Sequence, residues 1–366
     1  MQLPTILALA ASSASLAAAV DVDTTGLRLI KTSPEDLGIW VTEEEKLVMA
    51  FEHKHFVDIT DITDPAVLAI LSTPDSEEVS LAARAVTYPT SATKQSTANP
   101  LINQVSNTQP QSWLTTLTNF HNRYYRGVNG TAASTWLFNT VSQVAAANPA
   151  ITVSRFTHSF NQPSIIVKIP GTTSDLVIVG AHYDSTGGSA TARAPGADDN
   201  GSGVVCILEA LRVLANARYA PKNTLEFHFY GGEEGGLLGS AGVFSNYKST
   251  GKNVLAFVNQ DMTGYSPGGR ITVYTDYVDS SLTAYARVVA TAYTGTTSSS
   301  SCGYACSDHG SARSNGFPAA YIADEPIGTS SPYIHTSNDA LSTIQWPAIL
   351  RHSKFTVAFL IEASFV

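Results

Sequence analysis

Residues 175–203 read "DLVIVGAHYDSTGGSATARAPGADDNGSG". The stretch opens as an apolar, β-branched run of strand length and breaks directly into a histidine and an aspartate. A glycine-rich loop with two more aspartates follows. A strand that is apolar at nearly every position is buried on both faces, as in parallel sheets covered by two layers of helix. In such sheets ligands sit beyond the C-terminal ends of the strands. One histidine and three aspartates gathered there, in a chain only 14% charged, are candidate metal ligands.

The pattern repeats outward from this point. "SIIVKIPG" (164–171), "TLEFHFYGG" (224–232), "NVLAFVNQDM" (253–262) and "RITVYT" (270–275) read as strands. Helical spacing of apolar residues marks "SWLTTLTNFHNRYY" (112–125) and "ASTWLFNTVSQVAAA" (133–147), then residues 202–217, a helix from about 237, and a long one at 340–363. Strand–helix alternation predicts an α/β fold: a three-layer sandwich whose central sheet is mixed, mostly parallel and twisted, with helices on both faces.

At 366 residues and 43% hydrophobic content the chain can bury one large core. A net charge of −9 without a Lys/Arg cluster excludes nucleic acid as partner. The opening "MQLPTILALAASSASLAAAVDVD" predicts a secretory signal peptide over residues 1–19, too mildly apolar for a membrane span. The acid-rich block that follows, ending before the polar break "TYPTSATKQSTANP" (87–100), predicts a propeptide over 20–86 and a catalytic domain over 87–366. A small N-terminal subdomain is the other reading of that block. His53 and His55 in "EHKHF" read as solvated residues without a role. Cys206, in an apolar run, reads as a buried thiol. Cys302 and Cys306 in "SCGYACSD" could close a tight disulfide loop; a zinc knuckle would need more ligands than the single nearby His309.

Polar clusters fall at successive strand ends: His182 and Asp184, then Glu233 and Glu234, then Asp261. With Asp199 and His335 they supply two imidazoles and several carboxylates, a donor set suited to zinc. One carboxylate shared between two ions, with a histidine and a further carboxylate on each, makes a two-metal site. Asp184, two residues after His182, is placed to orient the imidazole. Glu233, beside a ligand, is free to accept a proton from the attacking water. Taken singly, each motif has a bland reading: "GGEEGG" as an acidic helix start, "SPYIHTSND" as a helix cap.

In order, "HYD", "GADDNGSG", "GGEEGGLLGS", "NQDM", "CGYACSDH" and "YIHTSND" closely resemble the secreted co-catalytic dizinc aminopeptidases, in particular fungal leucine aminopeptidases, over about residues 88–366. The resemblance implies two Zn2+ per chain, one held by His182 and Asp261, the other by Glu234 and His335. Asp199, rather than Asp198, is the bridge, with a cis Asp199–Asn200 peptide. It further implies Glu233 as general base, Asp184 as partner of His182, and Tyr304 as a phenol that stabilises the oxyanion. The Cys302–Cys306 disulfide then shapes the position of Tyr304, and Met262, Tyr321 and Ile334 form a pocket for leucine-like side chains. The implied partners are peptides or proteins with a free N-terminus, with no membrane and a monomeric chain. "NGT" at Asn129 is a glycosylation sequon expected in a surface loop, whereas "NGS" at Asn200 lies too near the bridge to carry a glycan. Rival readings are a single-zinc glutaminyl cyclotransferase of the same fold, a carboxypeptidase-type dizinc hydrolase, for which the 261–335 interval is too short, and a receptor-like ectodomain without metals.

Overall fold

The computed structural model describes residues 24–75 and 86–366; the expected leader lies outside the described residues. A small N-terminal unit comes first: β1 (Arg28–Lys31), β2 (Ile39–Val41), α1 (Glu43–Phe51), β3 (Val57–Asp58) and α2 (Pro65–Leu71). Its strands pair antiparallel in the order β2-β1-β3. Helix α1 starts at a capping box, with the Thr42 hydroxyl accepting from the Glu45 N–H and the Glu45 carboxylate accepting from the Thr42 N–H.

The main unit runs α3 (Gln95–Ile102), α4 (Thr108–Asn119), α5 (Val128–Ala145), β4 (Thr152–Phe156), β5 (Ser164–Ile169), β6 (Thr173–His182), α6 (Gly203–Asn216), β7 (Asn223–Tyr230), α7 (Leu238–Ser249) and β8 (Val254–Gln260). It continues with β9 (Ile271–Tyr274), α8 (Ser280–Thr294), β10 (Thr297–Ser300), α9 (His309–Ser314), β11 (Ala319–Ala323) and α10 (Trp346–Ala363). Eight strands form one sheet in the order β10-β9-β11-β8-β6-β7-β5-β4. The central four, β11, β8, β6 and β7, are parallel. Strands β4 and β5 and the β9–β11 pairing are antiparallel, so the sheet is mixed and mostly parallel, as the alternation of elements predicts.

Strand β6 explains the layers. Val177, Val179 and Ala181 pack into the larger core with residues of α6 and α10, while Leu176 and Ile178 face the other way, onto Phe244 and Phe317. Side chains alternate faces along a strand, so a strand apolar at every position needs cover on both sides. Each of the valine, leucine and isoleucine side chains contributes about 1.5–3 kcal/mol on burial. Helix α6 is buried along almost its whole length, sandwiched between the sheet and the outer helices. The parallel strands all end at one edge, and the loops beyond β6, β7 and β8 meet there.

Two boundaries differ from the sequence reading. The helix expected over 112–125 stops at Asn119, and the chain then turns inward to bury Arg123 and Tyr125. The last helix begins at Trp346, with Pro347 in its first turn, where a missing N–H costs nothing. "SPYIHTSND" therefore lies in an irregular loop well before that helix and caps no helix. Among the described residues no helix is long and apolar enough to cross a membrane.

Candidate metal centre

His182 is the last residue of β6, and its imidazole is buried. Nε2 lies 3.2 Å from Asp199 Oδ1 and 3.4 Å from Asp261 Oδ1. His335 Nε2 lies 3.0 Å from the other oxygen of the same carboxylate, Asp199 Oδ2, and 3.1 Å from Glu234 Oε2. Two donor groups result, His182–Glu233–Asp261 and Asp199–Glu234–His335, with Asp199 presenting one oxygen to each histidine. Ligands arranged tetrahedrally at about 2.0–2.1 Å from one ion stand about 3.4 Å apart. The observed spacings match that edge length.

Hydrogen bonding tells the same story. Both ring nitrogens of His182, Glu234 Oε1 and Asp261 Oδ1 are buried without a hydrogen-bond partner. Buried polar atoms almost always have partners, and a cluster that lacks them is shaped for something else. Imidazole and carboxylate donors together fit zinc. In the bare protein, burial opposes charge on His182, yet Asp261, Glu233, Asp184 and Asp199 carry its pKa well above the ordinary value. His335 rises in the same way, despite burial, through Glu234 and Asp199. Burial works to raise the Asp199 carboxyl too, but the two histidines hold it low.

Neighbouring groups fix the candidate ligands. The Asp184 carboxylate accepts the backbone N–H groups of Glu233 at 3.0 Å and Glu234 at 3.1 Å, and lies 3.5 Å from His182 Nδ1. The Ser307 hydroxyl donates to Asp261 Oδ2 at 2.7 Å. The Asp339 carboxylate accepts the N–H groups of Asp198 (2.8 Å) and Asp199 (3.0 Å). Asp198 points away, accepting the Gly264 N–H at 2.7 Å. The Asp199–Asn200 peptide is cis. Glu233 Oε2 stands 3.9 Å from His182 Nε2, farther than the Asp199 and Asp261 oxygens. Burial, with Asp308, Glu234 and Asp261 nearby, raises the Glu233 carboxyl well above its usual range.

A cavity of about 380 Å³ opens onto these groups. Met262, Tyr321 and Ile334 all line it, joined by Tyr274, whose ring stacks on Tyr321 at 4.4 Å, and by both cysteines of the Cys302–Cys306 disulfide. Five non-glycine residues on its wall, His53, Leu237, Met262, Ala305 and His335, have positive φ, a conformation that clusters at functional sites.

Other features depart from the sequence reading. His53 and His55 are exposed, as their charged surroundings suggest, but they line the mouth of the cavity, and the His53 ring stacks on His335 at 5.4 Å. The Ala50 carbonyl accepts a hydrogen bond from His335 Nδ1, leaving Nε2 to face Asp199 and Glu234. Tyr304 is not among the residues lining the cavity: its hydroxyl donates to the Leu71 carbonyl at 3.0 Å, and the ring packs with Val57, Val67 and Leu71 of the N-terminal unit. Asn129 lies in the first turn of α5, half-buried, instead of in a loop, and Asn200 is fully buried. Asp308, Ser307 and Asp339 escaped sequence reasoning. Asp308 has both oxygens buried and unpartnered, and burial lifts its pKa to about 7.

The "Leucine aminopeptidase 1" of Arthroderma gypseum is 42% identical over 99% of both chains, and that of Trichophyton equinum 41% over the same shares. The crystal structure of the Legionella pneumophila LapA aminopeptidase superposes with a TM-score of 0.80 at 25% identity, covering 92% of this chain and 98% of that one. The family model described as peptidase family M28 matches residues 164–360, from the start of β5 to near the end of the last helix. That interval contains both donor groups, the acid that bridges them and the strands that carry them, and the chain belongs to peptidase family M28.

Proposed function

We propose that this M28 peptidase is a dizinc aminopeptidase that removes single residues, preferably leucine-like, from the free N-terminus of peptides. The observation that carries the reading is Asp199, one carboxylate with an oxygen 3.2 Å from His182 and the other 3.0 Å from His335. In this reading His182 and Asp261 would hold one ion, Glu234 and His335 the other, and Asp199 would contribute to both. When bound, the zinc pair supplies Lewis-acid polarisation of the scissile carbonyl and of the attacking water. Glu233 accepts the proton from that water and hands it to the departing amine. Asp184, through two backbone N–H groups, keeps Glu233 and Glu234 turned to separate tasks. The surrounding carboxylates favour a free ammonium at the substrate's end. Met262, Tyr321 and Ile334 offer an apolar wall to the first side chain. The names of the fungal relatives support the leucine preference. A single-zinc cyclotransferase would have no use for two donor groups joined by one carboxylate. Metal analysis, paired with hydrolysis of leucine amide and its N-acetylated form, tests the reading. Two zinc ions per chain and turnover of the free amine alone are expected; unchanged turnover of the acetylated amide overturns it.

Residues 1–19 are read as a secretory leader, 20–86 as a propeptide and 87–366 as the catalytic domain. The support is that the N-terminal unit sits over the cavity: Ala50 and His53 engage His335, and Leu71 holds the Tyr304 hydroxyl. Released from Leu71, Tyr304 would be free to donate to the oxyanion. The Cys302–Cys306 disulfide suits a secreted protein, as would a glycan on the Asn129 sequon.

A further inference from the structure

The helix that the sequence predicts through residue 125 ends at Asn119, and the next residues bind the loop that ends in Asp199. His121 Nε2 pairs with the Thr191 carbonyl at 3.0 Å, and the His121 carbonyl accepts the Ala194 N–H at 2.9 Å. Asn122 Nδ2 donates to the carbonyls of Ala190 (3.1 Å) and Ala192 (2.8 Å). Arg123 reaches farthest. Its Nε donates to the Tyr183 carbonyl at 2.6 Å, Nη2 to Gly196 at 2.9 Å, and Nη1 to Pro195. Its own N–H donates to Ser185 Oγ at 3.0 Å, and that hydroxyl donates on to Ala194 at 2.8 Å. Three consecutive residues thus bind carbonyls and N–H groups throughout 190–196 and tie that loop to the end of β6.

Arg123 is 0% exposed, and its side-chain hydrogen bonds end on backbone carbonyls. A buried cation spent on carbonyls is costly, so stability alone does not account for it. Gly196 has φ of +54°, and a Cβ there would come within 2.6 Å of Arg123 Nη2, so the loop is shaped around the guanidinium. On the opposite side, Asp339, four residues after His335, holds the N–H groups of Asp198 and Asp199. The loop therefore has two tethers, one leading to each histidine.

We propose that Arg123 is a positioning residue that sets Asp199 against His182, while Asp339 sets the same carboxylate against His335, so that each half of the metal centre has its own clamp. The proposal rests on the reading of Asp199 as the shared ligand. A lysine keeps the charge but lacks the planar fork that spans carbonyls on two chain segments.

The test uses the protein stripped with a chelator and titrated with cobalt(II). Wild type is expected to take up two ions; one or none would sink the reading of the site and this proposal with it. Given two, Arg123→Lys should hold one ion at wild-type affinity and the other at least tenfold more weakly. Anomalous diffraction on zinc-loaded crystals should locate the loss at His182–Asp261, and kcat for leucine amide should fall with KM changed less than threefold. Asp339→Asn should weaken the Glu234–His335 half instead. Two ions at wild-type affinity in Arg123→Lys, or equal weakening of both, would overturn the proposal, the second outcome marking a merely structural role. Should Arg123→Lys not fold, Ser185→Ala removes two hydrogen bonds of the same clamp, the one from the Arg123 N–H and the one to the Ala194 carbonyl. A threefold or greater loss confined to the His182 half supports the proposal, and unchanged affinities overturn it.

Discussion

Glu233 and Glu234 are adjacent in sequence, yet only Glu234 lies within 3.1 Å of a histidine nitrogen, and the separation follows from Asp184 gripping both backbone N–H groups. The proposed roles predict different failures. Glu233→Gln should keep both metals and lower kcat by about 10²–10⁴, the range for a lost general base. Glu234→Gln should lose a metal. Metal content and leucine amide turnover on the two variants decide the matter; a Glu233→Gln protein short of one zinc would mean that base and ligand have been exchanged. The candidate ligands were legible because imidazoles and carboxylates after apolar strands have few other reasons to be there. The choice of Asp199 over Asp198 was not readable from spacing; it depends on Asp198 turning to the Gly264 N–H. Arg123, Asp339 and Ser307 were invisible for a related reason. They bind backbone groups or the back of a ligand, and a residue that binds backbone leaves no pattern of side-chain types.

The N-terminal unit is the element whose behaviour most needs its fold to be explained. Lys46, fully buried, pairs with Asp58 at 2.9 Å, and Glu43 pairs with Arg126 of the main unit at 2.8 Å. Asp58 also donates its N–H to the Gly236 carbonyl at 3.1 Å. Gly236 has φ of +97°, and a Cβ there would stand 2.7 Å from that same nitrogen, so the loop carrying Glu233 and Glu234 is fitted to receive this strand. Fitted this closely over the cavity, the unit should hold the uncleaved chain at less than about a tenth of the activity of the cleaved chain, a difference of about 1.4 kcal/mol or more in the free energy of opening. Initial rates on leucine amide before and after limited proteolysis of the 86–94 region measure it; equal rates would mean the cover is no barrier. In the sequence this block stands out as acid-rich and separable, but none of its strands does, because runs of two to four residues carry no periodicity. Shortness also hid β10, of four residues, and β4 and β11, of five. It also left "EHKHF" as an exposed charged run, since contact with His335 spans nearly 300 residues of chain.

At the scale of the whole molecule, the fold class was legible from β6 alone, a strand buried on both faces, and the parallel order of the neighbouring strands followed from the helices between them. What that order achieves is electrostatic. It brings Asp184, Asp199, Glu233, Glu234, Asp261 and Asp308 to one sheet edge, opposed by His182, His335 and Arg123, with all the side chains largely removed from water. Without cations, protons must do the neutralising, which is why burial and mutual repulsion push Glu233 and Glu234 upward while the histidines hold their protons. Two divalent ions would replace those protons and bind the folded chain only, because the unfolded chain does not bring residues 182 and 335 together. Ligand that binds only the native state stabilises it by about 4 kcal/mol at a thousandfold excess over Kd. For a chain of this length that corresponds to a rise in Tm of about 5–10 °C. Thermal unfolding of the chelator-treated protein should therefore start lower by that amount and recover on adding zinc, with the recovery abolished in Asp199→Asn. A melting curve indifferent to chelator, in protein shown by metal analysis to have been stripped, would mean that the converging carboxylates are stable without a metal and that the centre is not built around one.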